Sequence, residues 1–137
     1  MKALIVIDHG SRNPLAHYEL LAFVEKIQAQ ILDHPQNSTF QNLTVRGAHL
    51  ELAEPHLDIV VEELHQNGVR DFAILPWFLA SGRHLCEDIP ELVSILQAKY
   101  KDSTFSLKKH LGQEASLVNL ALKMSQVSTE SKPSQDA

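Results

Sequence analysis

The sequence predicts an α/β protein built on a four-stranded parallel sheet flanked by helices. Short β-branched runs alternate with amphipathic helical stretches in the order β-α-β-α-β-α-β-α. The first run is apolar at every position instead of alternating, as a strand covered on both faces requires. A length of 137 residues suffices for a core of this kind without disulfides or structural metal.

Each element follows from a local pattern. Ala3-Leu4-Ile5-Val6-Ile7 forms the first strand, and Asp8-His9-Gly10-Ser11-Arg12-Asn13-Pro14 breaks it as a loop. Leu20, Phe23, Val24, Ile27 and Ile31 then share one face at the helix period, until His34-Pro35-Gln36-Asn37-Ser38 ends the helix. A second strand is expected from Leu43 to Leu50. Glu54-Pro55 is expected to open the next helix, with Pro55 in its first turn, and Leu57, Val60, Val61 and Leu64 form its buried face. Asn67-Gly68 stops it. Phe72-Ala73-Ile74-Leu75 makes a third strand closed by Pro76, and the loop Ala80–His84 leads to a helix carrying Ile89, Leu92, Val93 and Leu96. Thr104 to Leu107 is a short fourth strand, and a last helix runs from about Glu114 to Ser125. From Val127 the chain has too little apolar surface to order itself. Residues 1–126 are therefore expected as one domain and 127–137 as a disordered polar tail.

Composition excludes several classes. The net charge of −5 argues against nucleic-acid binding, which leaves a basic footprint. Cys86 is the one cysteine, so neither a disulfide framework nor a cysteine metal cluster forms within the chain. The apolar run after Met1 is too short for a signal peptide. No stretch approaches the roughly 20 apolar residues that cross a bilayer. A cytoplasmic protein without membrane contact is the expectation. Of the eight histidines, His17, His34, His56 and His65 sit in polar contexts and are read as surface residues.

Parallel sheets place their sites outside the carboxyl ends of the strands. The first such loop holds His9-Gly10-Ser11-Arg12, either an anion cradle or a plain turn. It lacks the glycine-rich dinucleotide pattern and the phosphate-loop lysine. In the second, Glu54 reads as an acid meeting the helix dipole, whereas Glu51 is either a solvated carboxylate or a site residue. In the third, Glu87 and Asp88 read as first-turn acids, and His84 is either a surface residue or the partner of His9 across neighbouring strand ends. Two imidazoles and a carboxylate suit a borderline divalent ion, though no local spacing rule ties these three together.

Three segments taken together carry a resemblance. They are Asp8-His9-Gly10-Ser11-Arg12, then Leu50-Glu51-Leu52-Ala53-Glu54-Pro55, then the run from Pro76 through Trp77, Ser81-Gly82-Arg83-His84 and Glu87-Asp88-Ile89-Pro90. In order and spacing they resemble the sirohydrochlorin chelatases, in the short, single-domain form of the class II cobalto- and ferrochelatases. The resemblance runs from about residue 3 to 125. It implies a three-layer chelatase-like (flavodoxin-like) domain and a lyase that inserts a divalent metal into sirohydrochlorin, for sirohaem or cobalamin. It implies His9 and His84 with Glu51 as both the catalytic and the metal-holding groups. The metal is a substrate, Co²⁺ or Fe²⁺ with Ni²⁺ chemically admissible, and no organic cofactor is expected. The resemblance further implies a homodimer. Ser11, Arg12, Ser81, Gly82 and Arg83 are expected to bind the anionic tetrapyrrole, the two arginines pairing with its carboxylates.

Two other readings stand beside this one. A metal carrier of flavodoxin-like fold would keep the histidines without turnover. A histidine phosphatase uses an Arg-His-Gly turn where this chain has Asp8-His9-Gly10, and an acid there repels phosphate.

Overall fold

The computed structural model describes residues 1–82 and 87–135. Four parallel strands form one sheet among the described residues: β1 (Lys2–Asp8), β2 (Leu43–His49), β3 (Asp71–Pro76) and β4 (Thr104–Leu107), in the spatial order β2-β1-β3-β4. The helices are α1 (Pro14–Leu32), α2 (Leu57–Gln66), α3 (Ile89–Lys99) and α4 (Ser116–Gln135). The strand order reverses beside β1. The chain steps outward to β2, then returns across β1 to β3 and β4, so the switch in direction lies between the ends of β1 and β3, with the loop after β1 at its side.

Two cores lie on opposite faces of the sheet. On one, Ile5, Ile7, Phe72 and Ile74 pack against Leu57, Val60, Val61 and Leu64 of α2 and Ile89 and Leu96 of α3. On the other, Val6 and Val45 meet Leu20 and Val24 of α1, with Ile27, Ile31 and Trp77 at the margin. β1 is buried on both faces, which explains its unbroken apolar run. Phe23, expected on the buried stripe of α1, is partly exposed and lies against the Trp77 ring at 4.6 Å. The Asn13 side chain accepts the Leu15 N–H at 3.0 Å and caps α1, with Pro14 at its first position.

Both edge strands are covered in the same way. From α1, the Gln28 amide accepts the Val45 N–H at 3.0 Å and faces the Leu43 carbonyl at 3.4 Å, along the outer edge of β2. From α3, Gln97 accepts the Phe105 N–H at 3.2 Å and donates to the Ser103 carbonyl at 2.8 Å, along the outer edge of β4.

Two local expectations need correction. α2 begins at Leu57 with His56 at its N-cap, so Pro55 lies outside the helix and Glu54 is not a helix-start acid. The cause is strand pairing: the Pro55 carbonyl accepts the His49 N–H at 2.9 Å, which holds this segment extended alongside β2. The acid in the first turn of α2 is Asp58. At α3, Asp88 stands at the cap position without a side-chain bond to the first turn, and Glu91 is the first-turn acid. α4 runs to Gln135, beyond the point where the polar tail was expected to begin at 127.

Candidate functional site

The β1–β2 ladder does not stop where the strands do. Asp8 pairs with His49 in register, then the Leu50 N–H bonds the Asp8 carbonyl at 2.8 Å and the Glu51 N–H bonds the His9 carbonyl at 3.1 Å. Two residues that sequence places 42 positions apart thereby emerge side by side. Gly10 makes the approach possible. Its φ is +96°, and a Cβ there would stand 1.7 Å from the Glu51 carbonyl oxygen. Any side chain would push the two loops apart.

His9 Nε2 lies 3.2 Å from Glu51 Oε2, and the two side chains are 41% and 49% exposed. Two donors, each about 2.1 Å from a divalent ion, stand about 3.0 to 3.4 Å apart for right-angle to tetrahedral geometry. The observed spacing therefore accepts either a shared proton or a metal ion. Its exposure leaves room for a second molecule to take that ion away.

The structure thus brings together two members of the predicted triad, His9 and Glu51. His84 and Arg83 lie outside the described residues. Of the expected substrate-binding residues, the Ser11 hydroxyl accepts the Asn13 N–H at 3.0 Å and so shapes the turn before α1. Arg12 is exposed three residues after His9, and Ser81 and Gly82 are exposed after β3.

Sequence reasoning missed a second polar group at the same end of the sheet. His49, the last residue of β2, is 1% exposed. Its Nδ1–H donates to Asp8 Oδ1 at 2.6 Å, and its Nε2 lies 2.9 Å from Nδ1 of His17 on α1. This corrects the reading of His17 as a surface residue, because it reaches inward to the one polar atom that His49 leaves open. His65 also departs from that reading, since its Nε2 meets Asp102 at 3.0 Å and its ring lies against Tyr100. The signal was the strand register itself: an acid ending β1 opposite a histidine ending β2.

An open pair at the carboxyl ends of adjoining parallel strands marks an α/β protein that works at its strand ends. The chain belongs to the CbiX family, whose sequence pattern matches residues 3–126. It is 29% identical over 127 residues to the sirohydrochlorin cobaltochelatase of Methanosarcina acetivorans, covering 88% of this chain and 91% of that one. To the sirohydrochlorin ferrochelatase of Bacillus subtilis it is 29% identical, covering 85% of this chain and 41% of that one. Among solved structures, a cobalamin-biosynthesis CbiX protein of Marinobacter aquaeolei VT8 matches with a TM-score of 0.63, at 29% identity over 95% of this chain and 96% of that one. SirB of B. subtilis with Fe³⁺ matches with a TM-score of 0.72, at 27% identity over 89% of this chain and 45% of that one. The chain therefore spans nearly all of some relatives and less than half of others.

Proposed function

We propose that this protein is a sirohydrochlorin chelatase, a lyase that inserts Co²⁺ or Fe²⁺ into the tetrapyrrole. The observation that carries the proposal is the His9–Glu51 pair, held by backbone pairing at two strand ends in a chain of the CbiX family. Relatives with this family's pattern carry the names sirohydrochlorin cobaltochelatase and ferrochelatase. Both are lyases acting on one tetrapyrrole with different metals.

The chemistry asks for a group that holds a divalent ion loosely and accepts protons as pyrrole N–H bonds break. His9 serves either purpose near neutral pH, because imidazole is a neutral ligand or a proton acceptor in that range. Glu51 offsets the charge of the ion. His84, two residues beyond Gly82, is assigned as the third member. Arg12 and Arg83, with Ser11, Ser81 and Gly82, are assigned to the substrate's carboxylates, where arginine pairs in bidentate fashion. The proposed setting is the cytoplasm and the proposed assembly a homodimer, which the length of the longer relatives supports, since two copies of this chain match it.

Anaerobic incubation with sirohydrochlorin and each metal, followed by absorption, tests the reading. Wild-type protein is expected to exceed the protein-free rate. His9→Ala and Glu51→Gln are each expected to lose about 10²-fold or more, the scale of positioned proton transfer. Insertion no faster than the protein-free control sinks the chelatase assignment. It leaves a carrier that binds metal in stoichiometric amounts without changing the tetrapyrrole spectrum.

A further inference from the structure

Two residues other than glycine hold a positive φ among the described residues, Asn42 at 64° and Leu52 at 70°. Asparagine visits the left-handed region readily, and Asn42 sits in the turn before β2. Leucine does not. Its side chain crowds the backbone there, and a bulky residue keeps this conformation only where its surroundings impose it.

The constraint comes from both sides of Leu52. The Glu51 N–H is bonded to the His9 carbonyl at 3.1 Å, and the His49 N–H to the Pro55 carbonyl at 2.9 Å. The chain therefore leaves the end of β2 at Glu51 and is back beside it at Pro55. Glycine would make this reversal without steric cost. Leucine makes it with its side chain 45% exposed and outside both hydrophobic cores. Neither the turn nor the core asks for an apolar side chain at this position.

The surroundings define what that side chain can meet. Leu52 follows Glu51 directly, so it stands next to the pair that Glu51 forms with His9. The segment 50–55 carries two acids, Glu51 and Glu54, and no base. Anionic groups are repelled from it. Leu15 at the start of α1 and Leu79, three residues beyond β3, are exposed as well. Single exposed leucines are ordinary, but one in a strained conformation beside a donor pair is not. The ligand that fits is a flat apolar ring with its charges confined to the rim. Its face can lie on Leu52 while its anions stay clear of Glu51 and Glu54.

We propose that Leu52 is a substrate-contact residue, presented by its left-handed backbone to the apolar face of the tetrapyrrole. The contact sets the ring face-on to the His9–Glu51 pair and leaves its carboxylates to the arginine-bearing loops. The choice of sirohydrochlorin as the ring rests on the chelatase reading.

The test is anaerobic titration with metal-free sirohydrochlorin, followed by absorption, for wild type, Leu52→Asn and Leu52→Met. Asparagine suits the backbone but removes the apolar surface, whereas methionine keeps that surface. Leu52→Asn is expected to weaken binding about three- to tenfold, the scale of covering half a leucine side chain, with Tm no lower than wild type. Leu52→Met is expected to bind within about twofold of wild type. Equal affinity in all three proteins overturns the proposal, as does a wild-type protein that binds no ring. A fall in Tm with Leu52→Asn overturns it too, because the leucine then supports the fold. A change in sedimentation mass without a change in affinity does the same, since Leu52 then meets another copy. Binding is read without metal, so it is separate from insertion. A protein that binds the ring through Leu52 but inserts no metal loses the chelatase reading and keeps this contact. One that inserts metal with all three affinities equal keeps the reading and loses the contact.

Discussion

At the scale of single residues, the informative groups are polar ones whose partners lie far away in sequence. Asp102 is an example remote from the strand ends. The His65 hydrogen bond is the first cause holding its carboxyl below the ordinary value of 3.8; burial opposes it next, and Ser103 and Arg70 add lesser lowering effects. A lowered folded value means that the interaction is fully present above the unfolded carboxylate range and is lost as pH falls through the folded value. The Tm difference between wild type and Asp102→Asn is therefore expected to persist down to about pH 4 and to vanish at more acid pH. The effect is small, because Asp102 is exposed to solvent. A Tm difference unchanged at pH 2 contradicts the assignment. His9 and Glu51 were legible from sequence because strand ends in parallel sheets are privileged positions. His49 was not, because a histidine ending a strand has no local signature. Its meaning depends on Asp8, 41 residues earlier.

At the scale of elements, α1 and β2 depend on one another through a position without a side chain. A Cβ on Gly47 would meet Leu20 at 3.2 Å and Val24 at 3.4 Å. Gly47→Val is expected to cost about 1–3 kcal/mol by overpacking, read from chemical denaturation. The same change would press on the helix that carries His17, so loss of the His17–His49 contact should accompany it in the imidazole resonances. Periodicity alone exposes α1, α2 and α3, since each buries a stripe against a sheet face. The start of α2 was misplaced because proline after an acid is a good local helix signal. Here a longer-range bond from the His49 N–H takes the Pro55 carbonyl first.

At the scale of the whole molecule, α4 stands apart from both cores. Val118 and Leu122 are 66% and 62% exposed, and Leu120 and Met124 are exposed beside them. A helix with this much apolar surface gains stability by covering it. If the homodimer assigned above uses this face, Val118→Lys with Leu122→Lys is expected to shift the protein to monomer in sedimentation analysis. An unchanged mass moves the interface elsewhere. The alternation of strands and helices gave the layers and the parallel sheet. It could not give what covers α4, because a pattern of apolar residues shows that a face calls for cover and not what supplies it.

The glutamine amides on the two outer strands carry a consequence for how copies of this chain can meet. An exposed strand edge is an invitation to any other strand with free N–H and C=O groups. Gln28 and Gln97 answer that invitation from within, each offering one acceptor and one donor where a neighbouring backbone would otherwise dock. Among the described residues the sheet is thereby closed to a further strand at either edge, so any association between copies would be steered away from a continuous eight-stranded sheet and toward the helical faces and the strand-end loops.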